Sequence, residues 1–307
     1  MLKFFSTIVH CSDDVLGINA RNLDFIYRLN LRKYFPRVDD KLLTKEILHA
    51  NSVPTPPTLT VFRSHSDLGN LEHRIAAPDG FAVKPAQGFG GLGIMIVRRD
   101  SSGKLVALDK AGWVVLDIDH LKMHISYILS GVYSLEKLSD RAFLEQLLEP
   151  EDTLGKLSYG GIPDIRVIVY QGQPVMAMAR FPTRLSHGRA NLHQGAFALG
   201  IDIQSGQTTY AVWRNRNIAS HPDTGEPLVS IKIPEWKYIL EMSVKAAKCV
   251  ELGFVGADIV IDRRLGPLVM ELNARPGLTI QLANKKGLVK VVRAVREPPL
   301  LYGDKEP

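Results

Sequence analysis

The sequence predicts an α+β fold in which antiparallel hairpins carry the functional groups and helices pack against them. Two apolar runs, 256–262 and 268–273, flank an Arg-Arg-Leu-Gly-Pro loop, and a second pair, 165–170 and 174–181, is separated by a short glycine-bearing turn. Apolar runs joined in this way are typical of β-hairpins. Residues 236–252 repeat apolar side chains at helical spacing. Antiparallel hairpins interleaved with amphipathic helices indicate the α+β class.

Composition and charge limit the classes of function. Of the 307 residues, 45% are hydrophobic and 23% are charged, which suits one large domain or two to three small ones. The net charge of +6 favours anionic partners such as nucleotides, acidic peptides or an anionic membrane surface. We expect no nucleic-acid binding and no membrane-spanning segment, since neither a basic run with interleaved aromatic residues nor a long apolar run is present. Cys11 and Cys249 lack metal-ligand spacing, which predicts a reduced, cytoplasmic location.

Local patterns predict the other elements. Asp39 or Asp40 is placed to cap a helix that begins at Lys41, because aspartate accepts hydrogen bonds from the first backbone N–H groups of a helix. Further helices are predicted through 25–31 (ending before Pro36), 67–75 and 119–138, with strands at 58–62, 81–84 and 94–98, a surface hairpin within 100–118 and a mobile glycine-rich segment at 151–163.

The hairpin 256–273 carries oxygen ligands on one face. Side chains alternate along a strand, so Glu271 and Asn273 share a face, and Asp258 lies near them across the ladder. Two carboxylates and an amide oxygen that converge in this way suit Mg²⁺, which also keeps positions for water and phosphate. The alternative is an amphipathic hairpin with its acids in water.

A glycine-rich loop follows Lys84. Residues 87–93 contain four glycines, at positions 88, 90, 91 and 93, which allow successive backbone N–H groups to face one anion. The loop lacks the Gly-Lys-Ser/Thr of a P-loop and the strand–turn–helix order of a dinucleotide site. By itself it is either an anion-binding loop beside a lysine or a flexible hairpin turn.

Several motifs follow one another in a fixed order. They are Asp40-Lys41, Val53-Pro-Thr-Pro56, Val83-Lys84-Pro85 with the glycine loop, Glu145-Gln-Leu-Leu148, Asp164-Ile-Arg166, Arg189-Ala-Asn191-Leu-His193-Gln-Gly195, Gly256-Ala-Asp258 and Met270-Glu-Leu-Asn-Ala-Arg-Pro-Gly277. This order resembles the ATP-grasp superfamily of carboxylate–amine ligases, in particular the branch that adds glutamate to a ribosomal-protein tail and its α-L-glutamate ligase-like relatives. The resemblance covers residues 39–280.

The resemblance implies a role for each matching residue. Lys41 and Lys84 would hold the α- and β-phosphates of ATP under a loop containing Gly88, Gly90, Gly91 and Gly93. Glu145 and the backbone from Gln146 to Leu148 would bind the adenine edge, and Asp164 the ribose. Asp258, Glu271 and Asn273 would hold two Mg²⁺ ions, with Mn²⁺ able to substitute. Arg189 and Asn191 would face the reacting carbonyl, whereas Arg184 matches no motif residue and would serve as a control.

The implied fold is an ATP-grasp fold, in which two α/β subdomains clasp ATP between two antiparallel sheets. We expect a shortened N-terminal region (1–40), a small subdomain with the lysine helix and glycine loop (41–142), a large subdomain with the metal hairpin (143–290) and a C-terminal tail (291–307). Members of known activity usually carry a whole N-terminal α/β domain, which helps to bind the substrates. Other surfaces, or a partner protein, would then hold the acceptor.

The function implied is ATP- and Mg²⁺-dependent ligation of a carboxylate to an amine, with amino acids or peptides as substrates and an acyl phosphate as intermediate. Two alternatives stay open. One is a nucleotide-binding regulatory or scaffold protein that retains the ATP site, and the other is a kinase for a small molecule. The amine dependence of ATP turnover and the identity of the product distinguish them.

Overall fold

Two antiparallel β-sheets form the body of the protein, which agrees with the predicted α+β class. The computed structural model describes residues 14–75, 80–109, 112–134 and 139–295. Its strands are β1 (Thr58–Phe62), β2 (Phe81–Pro85), β3 (Met95–Arg99), β4 (Leu105–Asp109), β5 (Gly112–Val115), β6 (Ala142–Gln146), β7 (Asp164–Tyr170), β8 (Gln173–Phe181), β9 (Phe197–Ile201), β10 (Thr208–Trp213), β11 (Arg216–Ile218), β12 (Phe254–Asp262) and β13 (Gly266–Asn273). One sheet has the order β1-β6-β2-β3-β4-β5, and the other the order β11-β10-β9-β8-β7-β12-β13.

Helices connect these strands. The α-helices are Ile18–Ala20, Tyr27–Leu29, Pro36–Asp39, Lys41–Ala50, Leu71–Arg74, Ile118–Leu129, Asp152–Gly155, Trp236–Cys249, Ile280–Asn284 and Leu288–Ala294, with a π-helical turn at Arg21–Ile26 and 3-10 turns at Arg32–Tyr34, His65–Asn70 and Leu192–Gln194. No helix in the described part of the chain is long and apolar enough to span a membrane.

Two helix predictions and one loop prediction need correction. The first helical segment ends at Leu29, so Leu31 lies outside it, and a new helix begins at Pro36 because proline fits the first helical turn. The helix predicted to reach residue 138 ends at Leu129, where Gly131 takes a positive φ of 77°. Residues 135–138 lie outside the described residues. The segment 151–163 contains a helix at its start rather than only mobile loop.

The six-stranded sheet packs against the helix Ile118–Leu129. The helix buries Leu121 and Ile125 against Phe62 and Phe81 of the sheet. Each fully buried side chain of this size contributes roughly 1.5–3 kcal/mol to folding. Because β6 pairs with both β1 and β2, the boundary predicted between residues 142 and 143 falls inside a strand of this sheet. The boundary predicted at residue 290 likewise falls inside the helix Leu288–Ala294.

The seven-stranded sheet is covered on both faces. The helix Trp236–Cys249 packs on one face through Ile239 and Met242. The segment 14–30 and the two C-terminal helices pack on the other, where Phe25 and Ile26 contact the core. Residues 167–169 of β7 are therefore apolar on both faces, whereas Asp164 and Arg166 at the start of the strand line the cleft.

The segment before residue 40 is tied directly to the hairpin β12–β13. The side-chain amide of Asn30 donates to the carbonyl oxygens of Phe254 at 2.8 Å and Ala274 at 3.0 Å. Its amide oxygen accepts from the backbone N–H of Phe254 at 3.0 Å. Asn30 is buried, so these hydrogen bonds replace those that it would make with water.

Candidate active site

A cavity of about 1410 Å³ lies between the two sheets. Every predicted site residue except Gly93 lines it: Lys41, Lys84, Gly88, Gly90, Gly91, Glu145, Gln146, Leu148, Asp164, Arg189, Asn191, Asp258, Glu271 and Asn273. A cleft with convergent charged groups is the usual setting of a ligand site. The fold therefore brings together residues that lie up to 232 positions apart, counted from residue 41 to residue 273.

Lys41 faces both the glycine loop and the hairpin. Its helix begins at the N-cap Asp40, whose Oδ1 accepts from the N–H groups of Leu42 and Leu43 at 3.1 Å, as the sequence predicts. From this position Lys41 Nζ donates to the carbonyl oxygen of Gly88 and lies 3.6 Å from Glu271 Oε1. The lysine thus bridges elements from both sheets.

The glycine loop forms hydrogen bonds at both ends and at its tip. The carboxylate of Asp140 accepts from the N–H of Gln87 at 3.0 and 3.2 Å, and His124 Nε2 lies 2.9 Å from the carbonyl oxygen of Gly93. At the tip, the Gln194 side chain donates to the carbonyl oxygen of Gly90 at 3.1 Å. Burial raises the pKa of Asp140 and lowers the pKa of His124.

Glu145 has lysine partners in place of the open carboxylate expected at an adenine site. It lies on β6 beside Lys84 of β2, and its other oxygen is 2.6 Å from Lys45 Nζ. Burial by itself would raise the pKa of Glu145, but the two ammonium groups outweigh it and hold that pKa below its usual value. Burial lowers the pKa of Lys45. The three groups form a buried ionic cluster at the base of the cleft.

Part of the backbone near the predicted adenine site is also hydrogen-bonded within the protein. The N–H of Gln146 donates to the carbonyl oxygen of Pro57 at 3.0 Å, which ties this residue to the segment before β1. Leu148 lines the cavity just beyond the end of β6. Leu148 therefore lies beyond the paired strand β6, whereas Gln146 is its last residue.

Asp258 binds two arginines. In the hairpin it pairs with Glu271, and a register shift follows at Ile259. Arg166 donates to its carboxylate through Nε at 2.7 Å and Nη2 at 2.6 Å, and Arg180 Nη2 lies 2.9 Å from Oδ2. Burial by itself would raise the pKa of Asp258, but the arginines hold it below its usual value.

Asp164 shares one of these arginines. Arg180 Nη2 donates to Asp164 Oδ2 at 2.6 Å, so one guanidinium joins two carboxylates from neighbouring strands. Burial raises the pKa of Asp164 to about 6, against the opposing effect of Arg180 and with a further contribution from the charge of Asp258. Asp164 is thus part of a buried network in this structure, in addition to lining the cleft.

Side-chain hydrogen bonds hold the segment 183–195. Thr183 and Ser186 are buried and exchange hydrogen bonds, with Ser186 Oγ 2.9 Å from the N–H of Thr183. Arg189 is exposed, and its Nη1 lies 3.5 Å from Gln194 Oε1. The amide oxygen of Asn191 caps the turn Leu192–Gln194 by accepting from the N–H of His193 at 3.0 Å.

A comparison with known protein families identifies the architecture. Residues 20–297 match the model of a family described as sugar-transfer associated ATP-grasp. The chain belongs to this ATP-grasp family. Its two sheets with the cleft between them are accordingly the ATP-grasp fold that the motifs predict. No curated protein matches the sequence.

Solved structures with a similar fold include three ligases or synthetases. The ATP-grasp ligase PsnB in complex with a minimal precursor is 15% identical, with a TM-score of 0.44 over 82% of this chain and 57% of that chain. For D-alanine–D-alanine ligase from Bacillus anthracis the values are 18%, 0.46, 85% and 63%. For the D-cycloserine synthetase DcsG they are 13%, 0.48, 84% and 69%. The chain spans less than two thirds of the length of the first two structures.

Part of the predicted metal site of this ATP-grasp chain fits Mg²⁺. Glu271 is half-buried with a lysine as its ionic partner, and Asn273 donates through Nδ2 to Asp258 at 3.2 Å, which leaves its Oδ1 as an acceptor. A carboxylate and an amide oxygen are suitable Mg²⁺ ligands. Asp258, in contrast, is neutralised by two guanidinium groups. Within the described ranges no group of three His, Cys, Asp or Glu side chains is placed to hold a metal.

Three charged residues that organise the ATP-grasp cleft were missed as site residues. Lys45 pairs with Glu145, and Arg166 and Arg180 pair with the buried aspartates. One signal was available for the arginines: Arg180 is a charged residue within the apolar run 174–181, where an unpaired charge would be costly. Arg166 is two residues from Asp164 and so shares its face of β7. No comparable signal identified Lys45, because its position in the helix Lys41–Ala50 does not indicate an ionic partner.

Proposed function

We propose that the protein is an ATP- and Mg²⁺-dependent ligase that joins a carboxylate to an amine through an acyl phosphate. The observation that carries this proposal is the meeting of two lysines with the hairpin strand β13. Lys41 Nζ lies 3.6 Å from Glu271, and Lys84 Nζ lies 3.4 Å from Met270 Sδ. Cationic groups for phosphates and oxygen ligands for Mg²⁺ therefore face one space in a member of an ATP-grasp family.

The lysines would bind and orient the ATP phosphates under the glycine loop. Gly90 and Gly91 have φ values of 59° and 77°, a backbone conformation that glycine adopts without strain, so the loop can turn tightly over an anion. Glu271 and Asn273 would hold Mg²⁺. When bound, Mg²⁺ neutralises charge on the phosphates during transfer of the γ-phosphoryl group. Because Lys84 now pairs with Glu145, phosphate binding would compete with that ion pair.

Arg189 would act on the acyl group. Its guanidinium is exposed at the cleft and donates to the Gln194 side chain at 3.5 Å. A cation at this position can stabilise the oxyanion that forms when an amine attacks the acyl phosphate. Asn191, which uses its side-chain oxygen to cap a turn, would position this loop, and its amide N–H₂ group could also contact the carbonyl.

We infer the two substrate classes from the family and the motifs together. The matched family is described by an association with sugar transfer, whereas the motifs resemble α-L-glutamate ligases. A saccharide that bears a carboxylate and an amino acid or peptide that supplies the amine would satisfy both. Membership of the ribosomal-protein glutamate ligase branch remains a prediction from the motifs.

Several finer features belong to the same proposal. We assign the six-stranded sheet and its helix to the small subdomain, which then extends to Gln146, and the seven-stranded sheet to the large one. A second Mg²⁺ ion, substitution by Mn²⁺, a cytoplasmic location and an acceptor or partner protein remain predictions of the sequence. Because two arginines pair with Asp258, Glu271 and Asn273 are better supported than Asp258 as Mg²⁺ ligands.

A turnover screen tests the proposal. ADP release is measured with ATP-Mg²⁺, amino acids or dipeptides, and acidic saccharides, singly and in pairs, and mass spectrometry identifies the product. We expect release that needs both a carboxylate and an amine, with an amide as product. Release with a phosphorylated product would establish a kinase in its place, and nucleotide binding without turnover for any pair would favour a regulatory protein.

A further inference from the structure

One rim of the cleft carries two arginines that form no ion pair with a carboxylate of the described residues. We define the cationic rim as Tyr159, Arg184, His187 and Arg189, all of which line the cleft. The segment 183–195 that supplies three of them contains two arginines and two histidines and no carboxylate. Of the other cationic side chains in the same cleft, five form ion pairs, namely Lys41, Lys84, Arg166, Arg180 and Arg275. Arg98 instead lies over the Trp113 ring, 5.0 Å from its centroid, on the six-stranded sheet.

Arg184 lies over an aromatic ring. Its guanidinium carbon is 5.6 Å from the centroid of the Tyr159 ring, which is 48% exposed. Asp223 lies nearby, but its carboxylate accepts from the backbone N–H of Arg184 at 2.8 Å. Among the described residues no carboxylate lies within ion-pair distance of the Arg184 guanidinium. The guanidinium is planar by delocalisation, so its N–H donors can bind a carboxylate in a bidentate way.

The rim is held rigid by backbone packing. A Cβ atom added to Gly161 would lie 1.8 Å from the carbonyl oxygen of Gly188, so the segments that carry Tyr159 and Arg184 approach more closely than any side chain allows. The carbonyl oxygen of Pro182 accepts from the N–H of Tyr159 at 3.0 Å, which fixes the two segments side by side. A preorganised site loses little entropy when it binds a ligand.

We propose that the cationic rim binds the saccharide substrate as an acidic sugar, with its carboxylate on Arg184 and its ring against the exposed face of Tyr159. This inference rests on the proposed ligase function and adds the place and the class of the second substrate. Gly160, which follows Tyr159, has no side chain, and a Cβ atom added there would meet nothing within 4 Å, so this position leaves space for a ring beside the aromatic side chain. The carboxylate supplies the charge that the rim lacks, and His187 offers a further polar group.

Binding of defined probes tests the inference. The probes are a tetrasaccharide of alternating glucuronate and N-acetylglucosamine, its carboxyl-reduced form and the dipeptide Glu-Glu, titrated by calorimetry into protein loaded with AMP-PNP and Mg²⁺. We expect the acidic tetrasaccharide to bind at least tenfold more tightly than its reduced form. Arg184→Gln should weaken its binding by about tenfold or more, because a charge-assisted hydrogen bond is lost. Tyr159→Ala should also weaken it.

Arg214→Gln is the matched control. The Arg214 guanidinium also lies 5.6 Å from an aromatic centroid, that of Trp213, but outside the cleft. Equal losses in Arg184→Gln and Arg214→Gln, equal binding of the charged and reduced saccharides, or binding of Glu-Glu alone would each overturn the inference. AMP-PNP affinity is measured in parallel on every variant. Failure to bind nucleotide would overturn the proposed function, whereas nucleotide binding without saccharide binding would overturn only the assignment of the rim.

Discussion

Replacing Glu145 by glutamine removes the carboxylate that the ammonium groups of Lys45 and Lys84 share. The Glu145 side chain is 3% exposed, and those of the lysines are 12% and 13% exposed. Glutamine preserves the shape of the side chain but leaves two positive charges in a largely buried place without a counter-charge. Removing one partner of a buried ion pair costs about 3–5 kcal/mol in the free energy of unfolding.

Thermal unfolding measures this loss. With an unfolding entropy of about 2.1 cal/mol/K per residue, about 1 kcal/mol corresponds to roughly 1.5 °C for a chain of 307 residues, so the midpoint for Glu145→Gln should fall by roughly 5–8 °C. Glu251→Gln is the control, since Glu251 forms a 2.6 Å ion pair with Arg37 but its side chain is 52% exposed. An exposed pair contributes about 0–1 kcal/mol. Similar midpoints for the two variants would refute the view that the Glu145 cluster is held by buried charge.

The same variant has a defined pH dependence. The lysines hold the folded-state pKa of Glu145 below its reference value of 4.5, despite the opposing effect of burial. The stabilising contribution is therefore fully present above the reference value and is lost as the pH falls through the lower folded value. The difference in unfolding free energy between wild type and Glu145→Gln should stay level from pH 7 to pH 5 and narrow below about pH 4.5. A difference that stays constant down to pH 3 would contradict this origin.

Three further outcomes follow from the site. Glu271→Gln should abolish Mg²⁺-dependent turnover while circular dichroism shows an intact fold, and wild-type turnover in a folded variant would exclude a metal role for the hairpin. Arg189→Ala should reduce ligation by roughly 10²–10³ and leave ATP affinity within a few-fold, so that a large loss of ATP affinity would instead assign this arginine to the nucleotide. Gly161→Ala should lower the unfolding free energy by about 1–3 kcal/mol, because its Cβ would meet the carbonyl oxygen of Gly188; an unchanged midpoint would show that the loop can relax.

The strands of the cleft were predictable because their pattern is local. Alternation along 268–273 and the turn before it predicted Glu271 and Asn273 on one face with Asp258 near them across the ladder, and the structure pairs Asp258 with Glu271. Asp40 was identifiable as a helix cap because capping depends on the next three residues alone. Such features depend on neighbours in sequence, and one sequence contains all the information that they need.

The partners of the buried charges were not predictable in the same way. Glu145 meets Lys45 only because the lysine helix packs beside β6, and Asp258 meets Arg180 only because β8, β7 and β12 are consecutive in one sheet. The first contact depends on helix packing and the second on strand order, and alternation specifies neither of them. Arg184 shows the same limit, since its place beside Tyr159 depends on the close packing of two glycines. It lines the cleft and therefore cannot serve as an inert control for Arg189.

The hydrogen bonds of Asn30 have a consequence for how the chain acquires its structure during translation. Asn30 is made 244 residues before its acceptor Ala274. At a synthesis rate of about 5–20 residues per second, the segment around Asn30 waits roughly 12–50 s for that acceptor. Phe25 and Ile26 wait similarly for Phe254 and Ile280, which share their core. Completion of the hairpin β12–β13 would then bury this segment and assemble the cleft in one late step. Until that step, the apolar side chains of the nascent chain would be exposed and could bind chaperones.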